Sequence, residues 1–581
     1  MKILKTIWSD KVGEIPFNEY PRPQFERNSF FNLNGKWNYA INVGETPESF
    51  DGEILVPFSP ESLLSGVEKV LKPDETLWYE RKFTLPEGFN QGRIIINFGA
   101  VDQTAEVFIN GKKAGENDGG YYSFSFDVTD YVKTEAENEI VVKVKDLTDT
   151  SYKENGKQHF ARGGIWYTPQ SGIWQTVWLE SVPEKYIKSI KITPSYKNGT
   201  VEIELDKEGD GEVYVKAALN DENVASGCGE DRIVLEIPGK KAWSPESPVL
   251  YDLELTFGED CVKSYFALRD VSVETAKDGK KRIFLNGEPY FMNGLLDQGY
   301  WSDGLYTPPC EEAFVYDIKV AKEMGFNMLR KHIKIEPMRW YYLCDKMGMI
   351  VWQDMISGGR QPYSPIFTVY NQFCYTSHPD GKRYYKLFGR ESEEGRREYY
   401  RNLRRMIDQL YNVPSIVLWT PFNEGWGQFD AKVALEEIKK QDATRLVDHA
   451  SGWHDQKVGE FNSKHIYFRP VRVHADKRAY ILTEFGGYTL MLPEHSFDPE
   501  HVFGYKTMKS VEELNAEIKK LFERDVVGNI KKGLCASVYT QVSDVEDETN
   551  GIMTYDRKVT KFDKAVMTKI AEEISEEYSK L

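Results

Sequence analysis

Residues 311–332 read EEAFVYDIKVAKEMGFNMLRKH, a helix pattern followed directly by a strand pattern. Phe314, Ile318 and Ala321 recur at helical spacing, and Gly325 follows them as a C-cap residue. The remaining residues form a short strand that ends in charged side chains. The stretch therefore predicts one helix–strand unit of an α/β domain.

The same alternation continues over about 300 residues, the length of a (β/α)8 barrel. Eight strands are predicted: Tyr290–Leu296, Asn327–His332, Met349–Gln353, Ser415–Asn423, Leu446–His449, His465–Phe468, Tyr480–Glu484 and Cys535–Gln541. Amphipathic helices are predicted between most of them, for example Arg396–Tyr411 and Ala431–Gln441. A doubly wound open sheet is the alternative, but it would require a Gly-rich phosphate loop, and the sequence has no GxGxxG or GxxxxGK[ST] pattern.

The N-terminal part of the chain has a different pattern. Short alternating segments separated by turns, with no helix pattern, extend to about residue 180 and predict an antiparallel sandwich. Residues 181–274 continue this pattern in a unit of immunoglobulin-like size. The predicted organisation is a β-sandwich at 1–180, an immunoglobulin-like sandwich at 181–274 and a barrel at 275–581.

Composition excludes several functional classes. The 581 residues include 91 acidic and 74 basic residues, for a formal charge of −17. Such a chain repels phosphate, which argues against nucleic acid and anionic membranes as partners. The first ten residues lack the apolar segment of a signal peptide, so a cytoplasmic location is expected. The scattered cysteines have no metal-type spacing, and no cofactor fingerprint is present.

Two predicted barrel strands end in glutamate. Residues 418–425 read LWTPFNEG and include Glu424, and residues 481–487 read ILTEFGG and include Glu484. Polar residues at the C-terminal ends of barrel strands face the active-site mouth, and these two strands lie on opposite sides of it. Each glutamate alone could cap a helix or pair with an arginine. Together they predict the acid and nucleophile pair that retaining glycosidases require.

The connection after Asp354 spans almost forty residues before the next predicted helix. It contains Tyr363, Phe367, Tyr370, Phe373 and Tyr375, so its composition is too aromatic for a disordered linker. Long loops in compact domains are usually functional, and this one leaves the end of a barrel strand where active sites form. Its role at residues 355–390 is left open by the sequence.

These motifs resemble glycoside hydrolase family 2, which includes β-galactosidases, β-glucuronidases and β-mannosidases. The resemblance extends over nearly the whole chain and includes residues 33–37 (LNGKW), 124–129 (FSFDVT), 172–180 (GIWQTVWLE), 266–269 (FALR), 283–287 (IFLNG), Asn423-Glu424 and Glu484-Phe485-Gly486. It implies a sugar-binding jelly roll, an immunoglobulin-like domain and a catalytic (β/α)8 TIM barrel. It also implies a retaining exo-glycosidase with Glu424 as general acid/base and Glu484 as nucleophile.

The resemblance implies further sugar-binding residues. Asn423 would hydrogen-bond the sugar 2-hydroxyl, and Arg330 would be a pocket arginine. His332 is offset by one residue from the family pattern, so either a pocket role or a core role is open to it. Tyr467 matches a tyrosine near the nucleophile, and a buried structural role is its alternative.

Four more residues are predicted in the pocket. Trp453 and Tyr539 could stack on the sugar, with core packing as the alternative. Asp297 and Gln298 follow the first barrel strand and are predicted to line the pocket.

The predicted glycone is galactose. Glucuronidases of the family have an Asn-x-Lys pattern near the last barrel strand, whereas this chain has Glu548, which would repel a uronate. β-Glucuronides, β-mannosides and α-L-arabinopyranosides remain alternatives, as does a carbohydrate-binding protein without catalysis. Some relatives bind magnesium or sodium, and homo-oligomers are common for the architecture, but neither a metal nor an oligomer is indicated by the sequence.

Overall fold

The computed structural model describes residues 4–44, 46–360, 377–474 and 476–581. It shows two antiparallel sandwiches followed by a parallel eight-stranded barrel, which confirms the predicted fold class. The aromatic residues from Tyr363 to Tyr375, on which the prediction of a functional loop at 355–390 rests, lie outside the described residues.

The first sandwich packs a four-stranded sheet against a six-stranded sheet, with orders β1-β12-β5-β9 and β3-β2-β4-β10-β7-β8. Its strands are β1 (Phe31–Asn32), β2 (Gly35–Asn42), β3 (Gly52–Val56), β4 (Thr76–Phe83), β5 (Arg93–Phe98), β6 (Val101–Asp102), β7 (Thr104–Ile109), β8 (Lys112–Asp118), β9 (Phe124–Asp127), β10 (Asn138–Lys145), β11 (Gly172–Ile173) and β12 (Val177–Val182). Alternation creates its core: Ile140, Val142 and Val144 of β10 are fully buried, while the residues between them are partly exposed.

The second sandwich has sheets of order β13-β14-β17 and β16-β15-β18-β19. Its strands are β13 (Tyr186–Ser195), β14 (Thr200–Glu208), β15 (Val213–Leu219), β16 (Glu222–Gly229), β17 (Arg232–Glu236), β18 (Tyr251–Phe257) and β19 (Asp260–Phe266). A small sheet then leads into the barrel, with strands β20 (Val271–Thr275), β21 (Lys281–Leu285) and β22 (Glu288–Pro289).

The barrel sheet has the order β27-β26-β25-β24-β23-β32-β29-β28, so all eight predicted strands are present and parallel. The strands of this region are β23 (Met292–Asp297), β24 (Met328–Lys331), β25 (Ile350–Asp354), β26 (Ile416–Thr420), β27 (Leu446–Val447), β28 (Phe461–Ile466), β29 (Ala479–Gly486), β30 (Tyr488–Thr489), β31 (Lys506–Thr507) and β32 (Leu534–Thr540). The helices are α1 (Glu311–Glu323), α2 (Met338–Met347), α3 (Glu393–Leu410), α4 (Ala431–Gln441), α5 (Val511–Phe522), α6 (Gly528–Ile530) and α7 (Lys564–Ser579).

The sixth barrel strand lies earlier than predicted. The sequence placed it at His465–Phe468, whereas β28 is Phe461–Ile466. Its residues FNSKHI are mostly polar because several of them face the barrel mouth, so the apolar pattern that reveals a buried strand is weak here.

A segment of the first sandwich reaches the barrel mouth. Residues 151–171, here called the sandwich arm, form most of the connection from β10 to β11. The backbone N–H groups of Asn155 and Gly156 both donate to the Ser357 carbonyl, at 3.1 and 3.0 Å. The Thr168 N–H donates to Glu546 Oε1 at 2.9 Å. The arm is therefore fixed to barrel loops at both of its ends.

No helix in the described part of the chain is both long and apolar enough to cross a membrane.

Replacing Arg27 tests how the two sandwiches are joined. Its buried guanidinium donates two hydrogen bonds of 2.8 Å to Asp260 at the start of β19. Arg27→Met leaves a buried carboxylate without its partner, a change that costs about 3–5 kcal/mol in buried pairs. We expect the variant to unfold at a lower concentration of guanidinium chloride than the wild-type protein. Tryptophan fluorescence measures the midpoint of this transition. Lys36→Met, which removes an exposed pair with Glu53, is the control, and an equal midpoint for both variants would contradict the expectation.

Candidate active site

The C-terminal ends of the barrel strands bring Glu424 and Glu484 together. Glu484 lies in β29, and Glu424 lies four residues after the end of β26. One oxygen of each carboxyl group and one ring nitrogen of His465 all lie within 4.8 Å of one another. Retaining glycosidases hold their carboxyl groups about 5–5.5 Å apart and inverting ones about 6.5–9.5 Å apart, so this spacing suits retention.

A tight turn directs Glu424 into the mouth. The Glu424 N–H donates to the Ser451 carbonyl at 2.9 Å, which ties this turn to the neighbouring strand end. Glu424 has a φ of 51° and Gly425 a φ of 78°, both left-handed. A Cβ at position 425 would lie 2.3 Å from the His454 ring. A glutamate in this conformation is strained, and such residues concentrate at functional sites.

The Arg330 guanidinium organises the site from β24. It donates from Nε to Asp354 Oδ1 at 3.0 Å, from Nη1 to Glu484 Oε1 at 3.0 Å and from Nη2 to Asn423 Oδ1 at 2.7 Å. Nη1 also donates to the Thr483 carbonyl at 3.0 Å. Arg330 is only 1% exposed, so these bonds form in a dry environment where charged hydrogen bonds are strong.

Glu484 accepts hydrogen bonds at both oxygens. Arg330 bonds Oε1, and the Tyr467 hydroxyl donates to Oε2. Burial raises the pKa of Glu484, and the charge of Glu424 raises it further. Arg330 and the Tyr467 hydrogen bond oppose this rise, because both stabilise the ionised form. Glu484 is therefore the carboxyl group of the pair equipped to hold a negative charge.

Glu424 has a different environment. Burial raises its pKa to about 7, against the opposing charges of Lys157 and Arg330. Its Oε1 lies 2.8 Å from His465 Nδ1, and burial lowers the pKa of His465 to about 3, so the ring is neutral. His465 Nε2 lies 3.4 Å from Arg330 Nη1. A guanidinium can only donate, so we infer that Nε2 accepts and that Nδ1–H donates to Glu424.

The structure brings Asn423 and His332 to this cluster as well. The Asn423 Oδ1 is bound by Arg330, while its buried Nδ2 has no partner among the described residues. A ligand hydroxyl could accept from it. His332 Nδ1 lies 2.7 Å from Asp354 Oδ2, and burial lowers the pKa of His332 well below its usual value. The imidazole is therefore neutral and held by the same carboxylate that binds Arg330.

Tyr467 and Trp453 also lie near the carboxyl pair. Tyr467 stacks on Tyr505, with ring centroids 3.7 Å apart and planes 9° apart. The Trp453 ring centroid lies 6.4 Å from that of His465, and its buried Nε1 has no partner within the described ranges. Both positions are compatible with contact to a bound ring.

Two predicted pocket residues lie elsewhere. Tyr539 is fully buried between Phe485, Phe522 and Phe562, and its hydroxyl accepts from the Tyr488 N–H at 3.1 Å. It pairs in register with Phe485. Because neighbours in a strand point to opposite faces, Tyr539 faces the helices while Glu484 faces the mouth. The prediction that Tyr539 stacks on a sugar is therefore corrected to core packing.

Asp297 is the second correction. It lies opposite Lys331 in the β23–β24 register and accepts from Lys331 Nζ at 2.7 Å. Lys331 also donates to Glu336 at 2.8 Å, so Asp297 belongs to an ion cluster on the face away from Arg330. Gln298 next to it is buried, with Oε1 unpartnered among the described atoms and no hydrogen bond to either catalytic candidate.

Three residues of the site were not identified from the sequence. The sequence predicts His465 only as part of a strand, although it lies two residues before Tyr467, and it marks Asp354 only as the start of the long connection. Lys157 comes from the sandwich arm, and nothing in its local sequence indicates a place near the barrel carboxyl groups. Its charge nevertheless opposes the pKa rise of both Glu424 and Glu548.

Glu424, His465 and Glu484 also have the donor atoms of a metal site. Both oxygens of Glu484 are already hydrogen-bonded, and the positive charge of Arg330 lies 3.0 Å from Oε1. A cation here would compete with these donors. The arrangement is therefore better suited to proton transfer and nucleophilic attack than to holding a metal.

Three family models match the chain. They are described as glycosyl hydrolases family 2, sugar binding domain, over residues 66–183; glycosyl hydrolases family 2, over residues 185–269; and glycosyl hydrolases family 2, TIM barrel domain, over residues 279–571.

Curated relatives are similar over part of their length. A putative β-glucuronidase of Formosa agariphila is 25% identical over 439 residues, which is 71% of this chain and 48% of the relative. A β-galactosidase of Streptococcus thermophilus is 29% identical over 289 residues, 47% of this chain and 27% of the relative. The chain thus spans about half or less of the length of these relatives.

Solved structures match the fold over almost the whole chain. A β-glucuronidase of Ruminococcus gnavus has a TM-score of 0.74 at 17% identity, covering 97% of this chain and 99% of that one. A β-D-glucuronidase of Dictyoglomus thermophilum has a TM-score of 0.73 at 18% identity, with coverage of 97% and 99%. At such identity the similarity shows the shared fold alone.

Proposed function

The chain belongs to glycosyl hydrolase family 2, and from this membership we propose that it is a retaining exo-β-glycosidase with Glu484 as nucleophile and Glu424 as general acid/base. The observation that supports this most is the carboxyl pair, whose oxygens lie within 4.8 Å in environments that differ. Hydrogen bonds favour the charge on Glu484, while burial favours the proton on Glu424. A carbohydrate-binding protein without catalysis would not require two carboxyl groups that differ in protonation.

In the proposed first step, a Glu484 oxygen attacks the anomeric carbon as the bond to the leaving oxygen breaks. Glu424 donates its proton to that oxygen, so the aglycone leaves as a neutral alcohol and the sugar is bound to Glu484 as an ester. Since His465 donates to Glu424 Oε1, the proton to be transferred is on Oε2. The Asn423 amide, whose Nδ2 is unpartnered in the described structure, would donate to the sugar 2-hydroxyl.

In the second step, Glu424 is ionised and acts as the base. It takes a proton from water, which attacks the anomeric carbon and releases Glu484 as a carboxylate. Arg330 and Tyr467 stabilise the negative charge that returns to Glu484. Two displacements at one carbon give net retention of configuration.

The proposed glycone is neutral, with β-galactosides first. Burial raises the pKa of Glu548, and the charge of Glu484 adds to this rise. Three cations follow it in the chain before α7. Arg557 pairs with Asp317 at 3.0 Å, Lys561 pairs with Asp544 at 2.6 Å, and the exposed Lys558 lies 3.9 Å from Asp556. A uronate would meet Glu548 without a cation from this segment.

A second candidate is an acidic glycone. The names of several relatives and structural neighbours indicate β-glucuronidases and β-galacturonidases, and Lys157 places a positive charge near Glu548. The observations favour the neutral sugar because this part of the site has three acidic groups, Glu484, Glu548 and Asp354. It has two basic groups, Arg330 and Lys157, so the net charge would repel a sugar carboxylate. A cytoplasmic location stays a prediction from the sequence, and a homo-oligomer stays one from the architecture alone.

Glu484→Ala is expected to abolish turnover of an aryl glycoside, because no covalent intermediate can form. Added azide should restore activity by occupying the space of the lost carboxylate, and the glycosyl azide should have the α configuration. Product analysis by NMR measures this. Undiminished activity in Glu484→Ala, or a β-configured azide product, would contradict the assignment.

Glu424→Ala is expected to remove the basic limb of the pH profile. With the pKa of Glu424 raised to about 7, kcat/KM of the wild-type protein should fall above about pH 7 as the acid loses its proton. The variant should lose about 10²–10⁴-fold on substrates with poor leaving groups and much less on dinitrophenyl glycosides. With this variant, azide should give a glycosyl azide of β configuration, whereas Glu484→Ala should give the α-configured one. A variant whose loss is the same for every leaving group would exclude Glu424 as the acid.

A panel of nitrophenyl glycosides of galactose, arabinopyranose, mannose, glucosamine and glucuronic acid tests the glycone. We expect the galactoside, and to a lesser degree the α-L-arabinopyranoside, to be hydrolysed at least about 10-fold faster than the glucuronide, since a buried unpaired charge is costly. A preference for the glucuronide would overturn the neutral glycone while leaving the roles of the two glutamates intact.

A further inference from the structure

The sandwich arm places one lysine in the barrel mouth. Lys157 is only 5% exposed, and its ammonium lies 4.5 Å from the Trp426 ring centroid and 5.8 Å from that of Trp166. Trp426 follows Glu424 by two residues. In the part of the chain that the structure describes, the ammonium makes no hydrogen bond or salt bridge.

Other buried lysines of this protein are satisfied by protein groups. Lys331 donates to Asp297 and Glu336. Lys334 donates to two carbonyls and to Glu336. Lys561 likewise donates to Asp544 and to two carbonyls. An ammonium has three N–H donors. Among these buried lysines, Lys157 is the one whose three donors have no protein partner in the described structure, so they can donate to a ligand.

The charges around Lys157 show which part of the site it faces. Burial lowers its pKa, and the charges of Glu548, Glu484 and Glu424 oppose this effect. The geometry agrees, because the ammonium contacts Trp426, which follows Glu424 by two residues, and Tyr167 of the same arm hydrogen-bonds Glu548. Lys157 therefore lies on the side of the barrel mouth that holds Glu424 and Glu548.

The arm is built to hold Lys157 in place. Gly156 precedes it with a φ of 57°, and a Cβ there would lie 3.0 Å from Tyr121 Oη and 3.1 Å from the Ile333 carbonyl. Further along the arm, the Tyr167 hydroxyl donates to Glu548. The lysine and Glu548 are thus positioned by the same segment, which reduces the entropy lost when they bind a ligand.

We propose that Lys157 is a sugar-binding residue that determines specificity, acting with Glu548 on two neighbouring hydroxyls of a neutral glycone. The ammonium donates to one hydroxyl oxygen, and Glu548 accepts from the adjacent hydroxyl. The two opposite charges compensate each other, so the pair suits an uncharged sugar. This inference rests on the proposed function, and it means that the barrel forms a complete sugar site only with the first sandwich in place.

The test combines Lys157→Met with deoxy substrates in the full-length protein. Methionine preserves the length of the side chain and removes the charge. We expect kcat/KM on the preferred neutral aryl glycoside to fall about 10- to 100-fold, the effect of losing a charged hydrogen bond. On the monodeoxy analogue that lacks the contacted hydroxyl, the same substitution should change kcat/KM by less than about 3-fold, because the interaction is already absent. The 3-, 4- and 6-deoxy analogues are measured in parallel.

Lys157→Arg and Lys153→Met are the matched variants. Lys157→Arg retains the donor charge and should keep more activity than Lys157→Met. Lys153, in the same arm, pairs with Asp118 on the sandwich. Its substitution should leave kcat/KM within about 3-fold on every substrate, because this ion pair includes neither Glu424, Glu484 nor Glu548. Thermal unfolding midpoints for all variants separate misfolding from loss of binding.

Three outcomes would overturn the proposal. They are no loss in Lys157→Met, an equal loss on every deoxy analogue, and a wild-type preference for uronides that Lys157→Met abolishes. If the wild-type protein hydrolysed no glycoside, the proposed function itself would fail. If it hydrolysed glycosides and Lys157→Met had no effect on the rate, only the inference about Lys157 would fail.

Discussion

The arrangement of the barrel mouth depends on the hydrogen bonds of the Arg330 guanidinium. Its three nitrogens bind Asp354, Asn423 and Glu484, which come from three other strands or strand ends. The planar fork of a guanidinium fixes the directions of these bonds, so one buried side chain sets the relative positions of the nucleophile candidate and the residue before the acid candidate. A lysine at this position could not bind all three in fixed geometry.

Burial and hydrogen bonding act on the two glutamates in opposite directions. Both carboxyl groups are removed from water, which raises both pKa values. Hydrogen bonds from Arg330 and Tyr467 favour the charge on Glu484, whereas Glu424 accepts from a neutral imidazole, a weaker stabiliser of charge. Two chemically identical side chains can thus differ in protonation at one pH, as double displacement requires.

The sandwich and the barrel share one site. The arm contributes Lys157 and Tyr167, and the barrel contributes Glu548, which accepts from Tyr167. Trp166 of the arm also contacts Trp426, with ring centroids 5.2 Å apart. The N-terminal domain therefore does more than pack on the barrel, since residues from it lie next to the candidate acid.

Features that are local or periodic could be predicted from the sequence. Helical spacing at Phe314 and Ile318 predicted α1, and apolar runs ending in glutamate predicted β26 and β29 with Glu424 and Glu484 at the mouth. Strand-end position alone suffices for this, because all parallel strands of a barrel present their C-terminal ends to one face. The family resemblance added Asn423, Arg330, His332 and Tyr467. In the structure Arg330 and Tyr467 bond Glu484, Asn423 bonds Arg330, and His332 contacts Asp354, which also binds Arg330.

The folded structure was needed to show which side chains share a face and which distant segments meet. Asp297 and Tyr539 lie at strand ends as expected, but register places them opposite Lys331 and Phe485, on the faces away from the mouth. His465 lies in a predicted strand, but the fold was needed to show that its ring reaches Glu424. Lys157 is more than 250 residues from Glu424 in the chain. The sequence around Lys157 has no pattern that indicates a position near Glu424. Such contacts follow from how domains pack, and packing depends on complementary surfaces formed by many residues at once.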